Sequence, residues 1–142
     1  MATLKEIQDY FSSDFHQCDH TVDEIGQRTA IVRQAVSTNE LRPGGTVSGP
    51  VMMSVADCAV YAAIFSELGI IPLAVTTSLN INSLRRPSST ADILGVCRLL
   101  KVGKTLVIGE VNIYSEGSDE PVAHATATYA LPPLKPAGQS SR

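Results

Sequence analysis

The chain has 142 residues, 44% of them hydrophobic, and a formal charge of −3. That is enough for one well-filled core and too little for two. Apart from Arg85-Arg86 there is no run of basic residues, which argues against a nucleic-acid or anionic-membrane surface and leaves small molecules as the expected ligands. Cys18, Cys58 and Cys97 stand about forty residues apart, a spacing that fits no zinc module and no disulfide framework, so reduced structural thiols are expected. No charged segment followed by an apolar one opens the chain, so no secretory signal is expected, and a soluble cytoplasmic protein is the reading.

Thr3-Leu4-Lys5-Glu6 has the form of a capping box, and Leu4, Ile7, Phe11 and Phe15 follow at helical spacing. An N-terminal amphipathic helix is predicted within residues 1–19. His16-Gln17-Cys18-Asp19-His20 resembles a metal-ligand cluster, but it has no matching second cluster, and no metal is expected there. Val22 to Val36 alternates loosely and breaks at Gly26, predicting two short strands and a turn. Asn39 to Gly45, with Arg42-Pro43-Gly44-Gly45, reads as a loop.

From Val51 to Phe65 the chain is almost wholly apolar. Pro50 suits a first helical position, Ser48 or Gly49 the cap, and Gly69 the stop. A helix apolar on every side is a core helix. It carries Asp57, the only charged residue between Val47 and Glu67. A buried carboxylate is costly unless it is solvated, paired or chemically employed, so Asp57 either meets water or an arginine, or belongs to a site. Ser54, Asp57 and Tyr61 are three and four residues apart and share a face, which makes that polar strip the candidate site. The run is marginally long enough to span a membrane, but its central carboxylate speaks against that.

The period then changes to two. Leu73, Val75, Leu79 and Ile81 alternate with Thr76, Ser78, Asn80 and Asn82, predicting a strand with one apolar and one polar face. Ala91 to Val102 and Thr105 to Ser115 read as long strands joined by a tight hairpin at Gly103-Lys104, and Val122 to Leu131 as a last strand. The proline-rich residues 132–142 read as a loose tail. No phosphate-cradling glycine loop and no Gly-x-Ser-x-Gly elbow occurs, which removes the nucleotide-fold and α/β-hydrolase routes. The expected class is α+β, a curved antiparallel sheet wrapped around one long central helix.

Over residues 20–131 the chain resembles the PaaI-like acyl-CoA thioesterases of the hotdog fold. In that family a loop ending in His-Gly-Gly enters the central helix and an acidic residue follows eight positions after the first glycine; here Ser48-Gly49-Pro50 precedes Asp57 by that count. The stretch Val75-Thr76-Thr77-Ser78-Leu79-Asn80-Ile81-Asn82-Ser83-Leu84-Arg85-Arg86-Pro87 resembles the family's next strand, and Leu100 to Leu106 its hairpin. The chain departs from the family where Ser48 replaces histidine and Arg42 replaces an asparagine found in many members.

The resemblance implies thioester hydrolysis with Asp57 as nucleophile or general base, the backbone N–H of Gly49 polarising the carbonyl, Ser48 partly replacing the histidine, and Thr76 holding the water. A thioester suits such a sparse site, because thiolate leaves readily. Arg42, Pro50, Ser54, Tyr61, Arg85 and Arg86 are the implied substrate contacts, with Lys101 or Lys104 adding charge for coenzyme A phosphates. The resemblance implies neither cofactor nor metal, and a homodimer or homotetramer, a dimer of dimers, with the site at the junction of two subunits. The loss of the family histidine keeps an alternative open: a hydrolytically silent hotdog module that binds acyl-CoA or an acyl ligand. A dehydratase of the same fold would want a histidine in the loop before the helix, and none is present.

Overall fold

The computed structural model describes residues 1–13, 20–37, 41–42 and 46–133, without the side chains of residues 42 and 46. Helix α1 (Leu4–Ser13) opens with the expected capping box: Thr3 N–H donates to Glu6 Oε1 at 2.9 Å and Glu6 N–H to Thr3 Oγ1 at 3.2 Å. Ile7 and Phe11 are buried, as their spacing predicts. Phe15, His16, Cys18 and Asp19 lie outside the described residues.

Strands β1 (Thr21–Gly26) and β2 (Thr29–Gln34) form the predicted hairpin, turning at Gln27-Arg28 with Arg28 at φ 61°. Part of the stretch read as a loop is a short ladder of β3 (Leu41–Arg42) and β4 (Thr46–Val47), too brief to show any alternation in the sequence. Pro43, Gly44 and Gly45 lie outside the described residues.

Helix α2 (Gly49–Leu68) is held at both ends by the groups the sequence offers. Ser48 is the N-cap, its Oγ accepting from Val51 N–H at 3.4 Å, and Gly69, at φ 96°, donates its N–H to Phe65 O at 2.9 Å. By length and composition α2 could cross a membrane, yet 67% of its most apolar window is buried inside the domain. The protein supplies its own apolar solvent.

That solvent is a six-stranded antiparallel sheet ordered β1-β2-β6-β7-β8-β5, the remaining strands being β5 (Val75–Ser83), β6 (Ile93–Val102), β7 (Leu106–Ser115) and β8 (Ala123–Ala130). This is the hotdog arrangement. Small residues floor the sheet where α2 lies: Ala30, Gly95, Gly109, Ala123, Ala125 and Ala127. Cys97 lies on the same face, its thiol pushed up to about 12 by burial, so it is an inert packing group. The β6–β7 hairpin is one residue longer than expected, with Gly103 N–H donating to Leu106 O at 2.8 Å.

On the outer face Arg33 ties three segments together, reaching Asp23, Asp92 and Glu116 at 2.8 Å each. The guanidinium holds the Glu116 carboxyl below the usual carboxylate range, and the three acids in turn raise the Arg33 pKa, Glu116 most. The link between Glu116 and Arg33 is therefore complete above the ordinary carboxylate pKa and is lost as pH falls through the lowered one.

Strand β5 corrects the sequence reading. Thr76 pairs with Tyr129 and Ser78 with Thr128, so Thr77 is an extra residue, a β-bulge. Since one residue of slip exchanges the two faces, the bulge places Thr76 on the helix side with Leu79 and Ile81, and leaves Val75, 54% exposed, outside. Simple alternation had put Thr76 with Asn80 and Val75 with Leu79.

Candidate active site

Asp57 sits on the partly open side of α2, about two turns from its start, and its Oδ1 is the focus of the site. Thr76 Oγ1 donates to it at 2.6 Å and Tyr129 O–H at 2.7 Å. Tyr129 O–H also lies 3.0 Å from the main-chain carbonyl of Asp57. Among the described residues Oδ2 accepts no hydrogen bond. The carboxylate is thus carried by the helix and aimed by two strands, and among the described residues it meets no arginine.

Tyr129 is the participant that sequence reasoning missed. It is buried, 3% exposed, on the inner face of β8, and its ring stacks on Tyr61 at 5.9 Å and 27°. Burial first, and then the Asp57 charge, raise its pKa, so the phenol stays protonated and acts as a donor. The alternation of β8 marks residue 129 as inward, which is the one signal the sequence holds; its partner lies 72 positions away.

The strip Ser54, Asp57, Tyr61 does share a face, but its members part company. Ser54 Oγ is 2.8 Å from Nε2 of the buried His20, the first residue described before β1. Tyr61 is 7% exposed and donates its O–H to Pro72 O at 3.0 Å, with Tyr10 of α1 at 3.5 Å. Burial, then the Tyr10 contact, raise its pKa. Met52 is buried and Met53 exposed.

Gly49 and Asp57 are eight residues apart on one helix, which is about 12 Å of rise. A single carbonyl cannot touch both in one subunit. Gly49 instead lines a groove of about 460 Å³ with Val47, Met52, Ser83, Arg85 and Arg86. Pro50 follows it at the helix start and Ser48 caps; the side chain of Arg42, in β3, lies outside what the structure describes. Arg85 is engaged within the fold, donating to Pro121 O and reaching Glu120 at 3.3 Å. Among the described residues Arg86 forms no ion pair. The arginines and the β6–β7 hairpin, which carries Lys101 and Lys104, stand at opposite ends of the sheet. Thr105 O accepts from Leu131 N–H beside the start of β5, whereas Arg85 follows its end, nine residues or about 30 Å from Thr76.

The sequence from residue 44 to 122 matches the family profile described as "Thioesterase superfamily". A candidate thioesterase of Silicibacter sp. TM1040 has a similar structure, with 41% identity over 91% of both chains and a TM-score of 0.83. Zebra fish thioesterase superfamily member 2 is similar in fold at 21% identity, over 93% of this chain and all of that one, with a TM-score of 0.81. The E. coli PaaI protein, from the phenylacetic acid degradation operon, superposes with a TM-score of 0.73 at 16% identity over 89% and 94% of the two chains. A search of curated proteins found no match. On the family profile and the 41% identity, this chain belongs to the thioesterase superfamily, and its fold is that of a PaaI-like hotdog protein.

Proposed function

We propose that the protein is an acyl-CoA thioesterase whose general base is Asp57 and whose active sites are shared between two subunits. The observation that carries the reading is a carboxylate on a core helix with one oxygen clamped by Thr76 and Tyr129 and the other left open. Oδ2 takes a proton from water; the water oxygen bonds to the thioester carbon; the carbonyl electron pair moves to oxygen; collapse expels the thiolate, which is then protonated. Thr76, donating to Oδ1, keeps lone pairs with which to accept from that water. The carbonyl oxygen needs a donor, and the Gly49 N–H at the positive end of α2 is suited to it.

The 12 Å rise between Gly49 and Asp57 supports a donor from the partner subunit. β5 is a nine-residue edge strand, mostly exposed, of the kind that proteins cover. Antiparallel pairing of two β5 edges about a two-fold axis brings the Thr76 end of one against the Ser83 end of the other, and so Asp57 toward the partner subunit's Gly49. The same operation gathers Lys101 and Lys104 with the partner subunit's Arg86, a basic rim for coenzyme A phosphates. A homodimer, or a dimer of such dimers, follows. The buried thiol of Cys97, held in no disulfide, supports a reducing, cytoplasmic setting.

Mixed subunits test this. Gly49→Pro deletes the N–H while its Cβ position meets nothing within 4 Å, and Asp57→Asn deletes the base. Each variant alone is expected to release little thiol from acyl-CoA esters, whereas refolding the two together restores turnover, since half of the sites in a mixed dimer keep both groups. No recovery, with dimers demonstrated by sedimentation, counts against the shared site.

Arg86 carries a second expectation. Arg86→Ala is expected to raise KM for acyl-CoA about fivefold at unchanged kcat, as loss of a charge-assisted contact of about 1 kcal/mol does, while Arg85→Ala, already engaged with Pro121 and Glu120, raises it less. An acyl-pantetheine substrate should be indifferent to both; equal loss on both substrates would indicate a folding role.

One observation favours the silent acyl-CoA binder: the hydroxyl that stands where the family has histidine is occupied in capping α2. Thiol release across a panel of acyl-CoA esters separates the readings, since tight binding without turnover is what the binder predicts.

A further inference from the structure

We infer that Tyr129 is a positioning residue for the reacting carboxylate, bridging the side chain and the main chain of Asp57 so that only Oδ2 is presented to substrate. The inference rests on Asp57 being the base. An aspartate side chain turns about two torsions, and one hydrogen bond to a carboxylate oxygen leaves both free to swing together. A hydroxyl that lies 2.7 Å from Oδ1 and 3.0 Å from the main-chain O of the same residue closes a ring containing both torsions. Thr76, at 2.6 Å from the same Oδ1, comes from β5 while Tyr129 comes from β8, so the clamp is anchored on two adjacent strands. With Oδ1 supplied by two donors, rotation that exchanged the oxygens would break both bonds at once.

The bridging hydroxyl is itself fixed. The Tyr129 ring lies on Tyr61, whose centroid is 4.3 Å from Phe65 and whose O–H is spent on Pro72 O. From α1, Tyr10 meets Phe65 edge-on at 5.3 Å and Phe11 meets Tyr61 at 6.2 Å. The raised pKa of Tyr129 keeps it a neutral donor, which suits a brace and not a second base. Pre-set geometry of this kind acts on the chemical step, because a misplaced base loses rate after substrate is bound.

Tyr129→Phe keeps the ring and its stack on Tyr61 and deletes only the bridge. Steady-state thiol release should show kcat lowered roughly tenfold or more with KM and melting temperature unchanged. In an Asp57→Asn background the same substitution should cause no further loss, because the hydroxyl acts through the carboxylate. An unchanged kcat in Tyr129→Phe overturns the inference while leaving the thioesterase reading intact. So does an equal loss in both backgrounds, and so does a variant that melts early and loses kcat and KM together, since each indicates packing alone. If Asp57→Asn turns over like the wild type, or the wild type releases no thiol, the base assignment fails and the inference with it.

Discussion

Asp57→Asn should lower kcat for acyl-CoA hydrolysis by roughly a hundredfold or more, with KM and the melting curve close to those of the wild type. The clamp explains why the two readouts separate. Thr76 and Tyr129 are both donors to Oδ1, and an asparagine carbonyl in the same rotamer accepts from both. The substitution therefore preserves the hydrogen bonds that hold the residue and alters only the open position, where an amide NH₂ replaces a basic oxygen. Steady-state thiol release and thermal denaturation by circular dichroism measure the pair of outcomes. Wild-type turnover in this variant would remove Asp57 from the chemistry; early melting would mean that the charge at Oδ2 matters to the fold.

Gly95→Val should destabilise the domain by about 3 kcal/mol, lowering the melting temperature by on the order of 10 °C. A Cβ at Gly95 would stand 2.7 Å from Val55 Cγ1, 3.4 Å from Val55 O and 3.4 Å from Val111 Cγ1. The first neighbour is a β-branched side chain, fully buried, and the second is helix backbone, so neither yields without moving α2 away from the sheet. Because α2 carries Asp57 while β5 and β8 carry its donors, a lifted helix also loosens the clamp. Gly95→Val should accordingly lose kcat at temperatures where it is still folded. A melting curve superposing on the wild type would show that α2 and β6 are less tightly apposed than these distances require.

Much of this was legible in the sequence because it is local. Ser48, Pro50 and Gly69 mark the ends of α2 within a residue, since caps are chemical facts about adjacent positions. The hairpins follow from alternation broken by glycine, and the Thr3–Glu6 box from a three-residue spacing. What was not legible depends on which distant segments meet. Tyr129 reads as one more inward β8 residue until β8 is placed next to β5 and both over Asp57. Arg85 and Arg86 look equivalent in sequence, and only the neighbouring Pro121 and Glu120 distinguish them. His20, to which the sequence assigned no partner once a metal was set aside, reaches Ser54, 34 residues on, across the fold. Grouping the arginines with Lys101 and Lys104 failed within one subunit for a topological reason: β5 and the β6–β7 hairpin place them at opposite ends of the sheet.

The unpaired Thr77 makes the chemistry of this chain depend on arithmetic as well as on composition. A β5 that paired regularly through this point, with Ser78 to Ser83 keeping their partners on β8, would set Thr77 opposite Tyr129 and facing Asp57, and would turn the Thr76 hydroxyl to the far side of the sheet. A homologous chain one residue shorter here would hold Thr76 opposite Tyr129 in a regular ladder and so keep both halves of the clamp without the bulge. The residue that meets the carboxylate is therefore set by the local register of β5 as well as by its letters, and an alignment scored on residue identity alone would pass over which of two adjacent threonines does so.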